Sequence, residues 1–383
     1  MKTTVIKRQS VLSLALLVLC LFSACGGDEN NGNTNPFQPA PTPTPPPPAV
    51  VAVVANQASN NVSAYTINGS TGALASVAGS PFPTGGTTPG GVTVSSDGAL
   101  AYVANQGSNN VSAFTIDPST GALTAVTGSP FSAGTTPLRL AISPNRSFLY
   151  VTNQASNNVS AFAISASGIL SPIPGSPFAT GFTPAGVTCT PNGSFLYVAN
   201  QGSNNVSGYT INVSGQLTPV AGSPFAVGTT PIGVVVSPNG SFLYVSNQGS
   251  NYVSALAING STGALTPVTG SPFATGITPG GITISPNGAF LYVANQSTNN
   301  VTAFAVNAGT GVLAPIGSPT PSGTTPSAVT VSPDGAFLYV ADQGSNDVFA
   351  YAINGNSGLL TGVPGSPFPA GVTPRAIATP GRP

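Results

Sequence analysis

Charge is so scarce in this chain that its candidates for chemistry can be named one by one. Seven basic and seven acidic side chains occur in 383 residues, and there is no histidine. The single glutamate, Glu29, sits in a Gly/Asn-rich stretch near the N-terminus, so histidine-based triads and paired glutamates are excluded. With no histidine, no cysteine pair and no carboxylate cluster, neither a metal nor another cofactor is expected. Once aspartates in ordinary turns are set aside, what remains is Arg139, Arg375, Asp342 and Asp347. Two guanidiniums brought together make a site for an anion or carboxylate. A carboxylate beside an arginine is the least that water activation with an oxyanion partner would require.

Which of these residues meet depends on the elements that carry them, and those elements repeat. The segment 195–206, FLYVANQGSNNV, recurs along the chain, and the Asn of its Asn-Gln pair falls at Asn56, Asn105, Asn153, Asn200, Asn247 and Asn295, with Asp342 in the seventh copy. Intervals of 47 to 49 residues filled with short apolar runs read as propeller blades. In the blade spanning residues 184–230, strand A is expected at 184–190, ended by a Pro-Asn-Gly turn. Strand B is expected at 195–199, C at 205–212 and D at 217–220. Copies of strand B are apolar at consecutive positions, the pattern of a sheet buried on both faces. The Gly-Ser-Pro-Phe copies put Phe82, Phe131, Phe178, Phe225, Phe273 and Phe368 at one repeat position, read as plugs between adjacent sheets.

The strand A pattern, Pro before a short apolar run, occurs seven times, from Pro89 to Pro374, and so does strand B. The first B, near Val51 to Ala55, has no A before it, and the last A, from Pro374, has no B after it. They complete each other, which predicts an all-β, seven-bladed propeller of four-stranded antiparallel blades closed by pairing of the N- and C-terminal strands in blade 1.

Alternating strand direction puts the B-to-C loops and D-to-A linkers on one rim, the upper, and the A-to-B and C-to-D turns on the other. Asp97, Asp117, Asp334 and Arg146 fall in lower-rim turns, where Asp before Gly or Pro is turn chemistry. Asp342, Asp347, Arg139 and Arg375 fall on or near the upper rim. Arg139 stands where other copies have Gly91, Gly186, Gly233 and Gly281, and Arg375 begins the innermost strand of the shared blade. Two arrangements are open: the arginines line the channel mouth as an anion site, or Arg375 pairs with Asp342 or Asp347 and Arg139 extends into water. Cys189 replaces Val94, Ile142, Val236 and Ile284 and reads as a buried apolar stand-in. The repeated Asn-Gln-x-Ser-Asn-Asn loops form a nearly charge-free crown, expected either to be set by Asn and Ser side chains bonding their own backbone or to present rows of amides that hydrogen-bond sugars or a protein surface.

Lys2, Lys7 and Arg8 precede an apolar run from Val11 to Phe22, and Ser23-Ala24-Cys25 follows, the organisation of a signal peptide over residues 1–24. Small residues before a cysteine resemble a bacterial lipobox, with Cys25 as the acylated residue. Residues 25–49 then form a Pro-rich spacer and 50–380 the propeller. The expected address is the cell envelope, periplasmic or at the surface, held to the membrane through the lipid alone. Charged residues are 4% of the chain, with no basic patch, so nucleic acid is not an expected partner; a monomer is.

The segments Ser332 to Asp342, SPDGAFLYVAD, and Tyr150-Val151-Thr152-Asn153 resemble the YVTN and lactonase-like seven-bladed propellers. The resemblance spans about residues 50–380. It implies kinship with 6-phosphogluconolactonases and muconate-lactonising cyclases, with surface-layer proteins, and with other envelope proteins. Given the missing histidine and near-missing glutamate, the expectation is a non-catalytic, lipid-anchored binding module whose upper rim meets a glycan or an envelope protein. The alternatives are a lactonase-like hydrolase or cyclase with its site at the upper channel mouth, and a structural surface coat.

Overall fold

The computed structural model describes residues 49–381, so Cys25, the signal sequence and most of the spacer lie outside the described residues. Seven sheets are present, each with strands A to D in order and a short fifth piece paired to strand C. In the fourth blade these are Pro184–Cys189, Phe195–Asn200, Asn205–Ile211 and Leu217–Pro219, with Phe225–Ala226 as the fifth. The sequence places A to D to within two residues. It takes the Gly-Ser-Pro-Phe stretch as a linker, whereas Phe225 pairs with Val206. The six phenylalanines at this position are half-buried against the interblade clusters, so they pack as plugs while also extending the sheet edge.

Ring closure follows the predicted pairing. Val51–Asn56 is strand B of the first blade, and Pro374–Ala378 lies against it, with Val53 opposite Ala378, Val54 opposite Ile377 and Ala55 opposite Ala376. Strand B of the first blade is thereby covered and not left as an open edge for another chain to pair with.

The core is divided into layers between blades. Phe195–Asn200 is buried at every position, and its alternate residues join different clusters: Tyr197 packs with the fifth blade, Leu196 and Val198 with the third. Tyrosines then fasten each blade to the next. The hydroxyls of Tyr102, Tyr150, Tyr197, Tyr244, Tyr292 and Tyr339 donate to the carbonyls of Gly168, Gly215, Gly263, Gly311, Gly358 and Gly72, each in the C-to-D turn of the following blade. A buried phenol needs such a partner. The first blade has Val53 at this position, and there the Ala49 amide donates to the Pro118 carbonyl of the second blade at 2.7 Å.

The upper rim is set by strained linkers. Thr88, Thr136, Thr183, Thr230, Thr278, Thr325 and Thr373 all have φ between 54° and 61°, a left-handed conformation that a β-branched residue rarely adopts. Each threonine is held from two sides. The amide of Thr88, for example, donates to Asn60 Oδ1 at 2.7 Å, and its carbonyl accepts from the Gln106 amide at 3.0 Å. The Asn and Ser side chains of the B-to-C loops therefore bond the neighbouring linker, where the sequence suggests their own backbone: Ser108 Oγ accepts from the Thr87 amide at 3.0 Å.

Candidate active site at the upper channel mouth

Seven innermost strands converge on a central channel whose upper end is a cavity of about 350 Å³. Aliphatic residues line much of it, among them Leu140, Val187, Val234 and Ile282. Leu140 and Val187 also line the lower cavity of about 620 Å³, which is bordered by prolines, threonines, aliphatic residues and Cys189 and by no charged side chain. Cys189 packs against apolar neighbours as expected but is half-buried, not buried, because it borders this cavity; desolvation pushes its thiol up to about 12, so it stays protonated.

Arg139 and Arg375 both line the upper cavity. They come from the third and first blades and flank the second, whose strand A begins Pro89-Gly90-Gly91. The inner strands run so close here that a Cβ on Gly91 would lie 2.2 Å from the Leu138 carbonyl oxygen. Arg139 reaches across this gap, its Nη1 donating to the Gly90 carbonyl at 2.9 Å, and Arg375 Nη1 lies 3.5 Å from Gln57 Oε1. Neither forms an ion pair; among the described residues the one ion pair joins Arg146 to Asp97 on the lower rim. Burial lowers the Arg139 guanidinium to about 10, and the charge of Arg375 adds to the shift. Arg375 is lowered by burial as well. Both remain cationic at neutral pH, so the mouth carries two uncompensated positive charges.

The aspartates do not join them. Asp342 ends strand B of the seventh blade and is fully buried, receiving bonds from Ser322 Oγ at 3.0 and 3.1 Å. Asp347 is its partner across the hairpin and accepts from Ser345 Oγ at 2.8 Å. Neither lines the cavity. In five of the other six blades the same positions hold a structural triad of Asn, Asn and Ser or Thr, the fifth blade having Tyr252 in the middle: Asn200 Nδ2, for example, donates to Asn205 Oδ1 at 2.7 Å and to Ser207 Oγ at 2.8 Å. Asp342, Asp347 and Phe349 replace those three residues in the seventh blade. Burial raises the Asp342 carboxyl to about 8, countered by Ser322 and reinforced by Asp347, so it is mostly protonated at neutral pH and can still act as a donor. Asp347 is raised by burial too.

A ring of amides completes the mouth. Gln154, Gln201, Gln248, Gln296 and Gln343 line the cavity, with Gln57 and Gln106 at the equivalent positions of the first two blades. Each backbone amide is pinned to a linker threonine carbonyl, at 2.8 to 3.0 Å. Three carboxamide pairs form: Gln57 to Gln106 at 2.9 Å, and Gln154 to Gln201 and Gln248 to Gln296 at 3.1 Å, the first-named donating. The sequence suggests rows of rim amides able to hydrogen-bond a sugar or a protein surface, without singling out the glutamines from the asparagines of the same loops. The available signal was that Gln follows the Asn in every copy and persists as Gln343 where that Asn becomes Asp342.

Chemically, the mouth offers two cationic forks for an anion or a developing oxyanion, surrounded by amide donors and acceptors suited to hydroxyl groups. No carboxylate or histidine lines it, so water would enter without a side-chain base.

Comparison with known proteins accords with this architecture. A candidate 6-phosphogluconolactonase from Bacteroides fragilis superposes with a TM-score of 0.76 at 21% identity, over 88% of this chain and 99% of that one. A periplasmic gluconolactonase from Pseudomonas aeruginosa gives 0.74 at 21% identity, covering 87% and 99%. Hydrazine synthase from Kuenenia stuttgartiensis, at 0.59 and 21% identity over 76% and 89%, shares the fold under a different named activity. These are likenesses of fold, and no curated protein matches the sequence. The family described as Lactonase, 7-bladed beta-propeller matches residues 76–179, 168–276 and 269–375. That match overturns the expectation of a non-catalytic binding module, which weighed missing histidine and glutamate too heavily against a mouth built from arginines and amides. From residue 76 to residue 375, and in the closed ring that those residues build, the chain belongs to the lactonase family of seven-bladed β-propellers.

Proposed function

We propose that the protein hydrolyses small lactones at the upper channel mouth, with Arg139 and Arg375 stabilising the oxyanion. One observation carries the reading: two half-buried guanidiniums share a cavity without a carboxylate partner. Water adds to the lactone carbonyl carbon, and negative charge collects on the carbonyl oxygen, where fixed cationic donors act most strongly. Collapse breaks the bond to the ring oxygen, which takes a proton as the hydroxy acid forms. The product carboxylate then faces the same guanidiniums until it leaves. With no side-chain base in the mouth, the nucleophile is water or hydroxide from solvent. The catalysed rate is therefore expected to climb with pH until Arg139 loses its proton near pH 10. Family membership and the fold likeness to a gluconolactonase support this assignment.

The setting belongs to the same proposal: an envelope protein anchored by an acylated Cys25, monomeric, with no nucleic-acid partner. The Pseudomonas relative is itself named as periplasmic, which agrees with export of this chain.

The test is ring opening of glucono-δ-lactone by the purified protein, followed by acid release and corrected for the spontaneous reaction. Arg139→Met and Arg375→Met are expected to lower kcat/KM on the order of 100-fold each. A rate no greater than the spontaneous one across a panel of sugar and alkyl lactones, or full activity in both variants, would sink the reading.

A further inference from the structure

Gln343 differs from the other glutamines of the mouth, and the difference comes from counting. A carboxamide has a donor end and an acceptor end, so neighbours in a ring can engage one another in pairs, one bond to a pair. Seven is odd. Gln57 pairs with Gln106, Gln154 with Gln201 and Gln248 with Gln296, and among the described residues Gln343 has no side-chain hydrogen-bond partner. Its backbone is held like the others, the amide donating to the Thr325 carbonyl at 3.0 Å, so the unsatisfied group stands on a fixed base. It also lies in the blade next to the one that carries Arg375, with which it shares the cavity.

We infer that Gln343 is a specificity-determining residue of the lactone site, its free carboxamide spanning a pair of adjacent hydroxyls on a substrate whose carbonyl end faces Arg375 and Arg139. The inference rests on the lactone-hydrolase reading. A vicinal diol matches one carboxamide on both sides, accepting from Nε2 through one hydroxyl oxygen and donating to Oε1 through the other. An alkyl lactone offers neither contact and leaves Gln343 as it is in the free protein. Polyhydroxylated lactones are therefore preferred at this position by ground-state binding. The paired glutamines already have one end engaged and oriented by a neighbour, so fewer of their donors and acceptors are free for an incoming diol.

The experiment compares glucono-δ-lactone with unsubstituted δ-valerolactone in the full-length protein and in Gln343→Leu. The variant is expected to raise KM for the sugar lactone about tenfold, the effect of one lost hydrogen-bonding group, while kcat for both lactones and KM for δ-valerolactone stay unchanged. A structural role would move both substrates together and lower the thermal midpoint; that result, or no change for either lactone, overturns the inference while leaving the hydrolase reading intact. If neither lactone is hydrolysed, the hydrolase reading has failed. Calorimetric titration with the open-chain acids, gluconate and 5-hydroxypentanoate, then decides separately: loss of discrimination in Gln343→Leu supports the diol contact, and equal affinities in the wild-type protein overturn it.

Discussion

An arginine half-buried beside another arginine destabilises a fold unless something offsets it, and Arg139 has only the Gly90 carbonyl. Replacement by methionine keeps the stem that covers the channel wall and removes the charge. Thermal unfolding of Arg139→Met should therefore show a higher midpoint, a gain of about 1 kcal/mol, together with the loss of activity predicted above. A lowered midpoint would mean that the guanidinium is held by contacts stronger than its repulsion. Asp342 gives the opposite kind of test. Its carboxyl is raised in the folded state, so between about pH 4 and pH 8 the native protein binds more protons than the unfolded chain. Stability from this group is then present at low pH and falls as pH rises through that window. Asp342→Asn restores the amide found in other blades and removes the slope. Urea unfolding should show the variant gaining on the wild type steadily from pH 5 to pH 8, and parallel curves would count against a protonated Asp342.

At the scale of the strand and its turn, the tyrosine bonds and the glycines opposite them form the joints between blades. Tyr339 fastens the seventh blade to the first through the Gly72 carbonyl at 3.0 Å, and Gly72 has φ +74°. A Cβ there would lie 2.2 Å from Phe337. Tyr339→Phe should cost about 1 kcal/mol, the usual net value of one buried hydrogen bond, whereas Gly72→Ala meets both a positive φ and a ring and should cost more. Chemical denaturation ranks the two; the reverse order would show that the joint depends on the hydroxyl more than on the close approach of the turn. The tyrosine run was legible in part. Consecutive apolar residues announced a strand buried on both faces, and Phe-Leu-Tyr-Val does lie between two layers. Which turn receives each hydroxyl was not legible, because the acceptor lies more than sixty residues away in all six cases.

For the ring as a whole, closure rests on five residues, Pro374–Ala378, paired with the first blade's strand B. Ending the chain at Thr373 removes Arg375 and exposes the inner edge of Val51–Asn56, a fully buried apolar strand. Such a truncation should be monomeric only at low concentration, self-associate in sedimentation analysis, and lack activity; a stable, monodisperse product would show that six complete blades hold the seventh without its inner strand.

The sequence by itself determined the architecture. A repeat of 47 to 49 residues, buried-strand patterning and the split first blade leave little freedom in how the strands can be laid down, because each of these is local or a matter of counting. It also reduced the candidates for chemistry to a handful by their rarity. Tertiary structure decided the rest. Arg139 and Arg375 are separated by more than two hundred residues and meet only because the ring brings its first and third blades around the second. Asp342 and Asp347 look equally available in the sequence, yet the fold buries Asp342 against Ser322 of the preceding linker and ties Asp347 to Ser345 of its own loop, both outside the cavity. The glutamines, uncharged and uniform along the chain, become a site only when the ring brings five of them to line one mouth. Strand formation follows from neighbouring residues, whereas a binding site depends on which distant side chains share the same few ångströms of space, and closure of the ring fixes that.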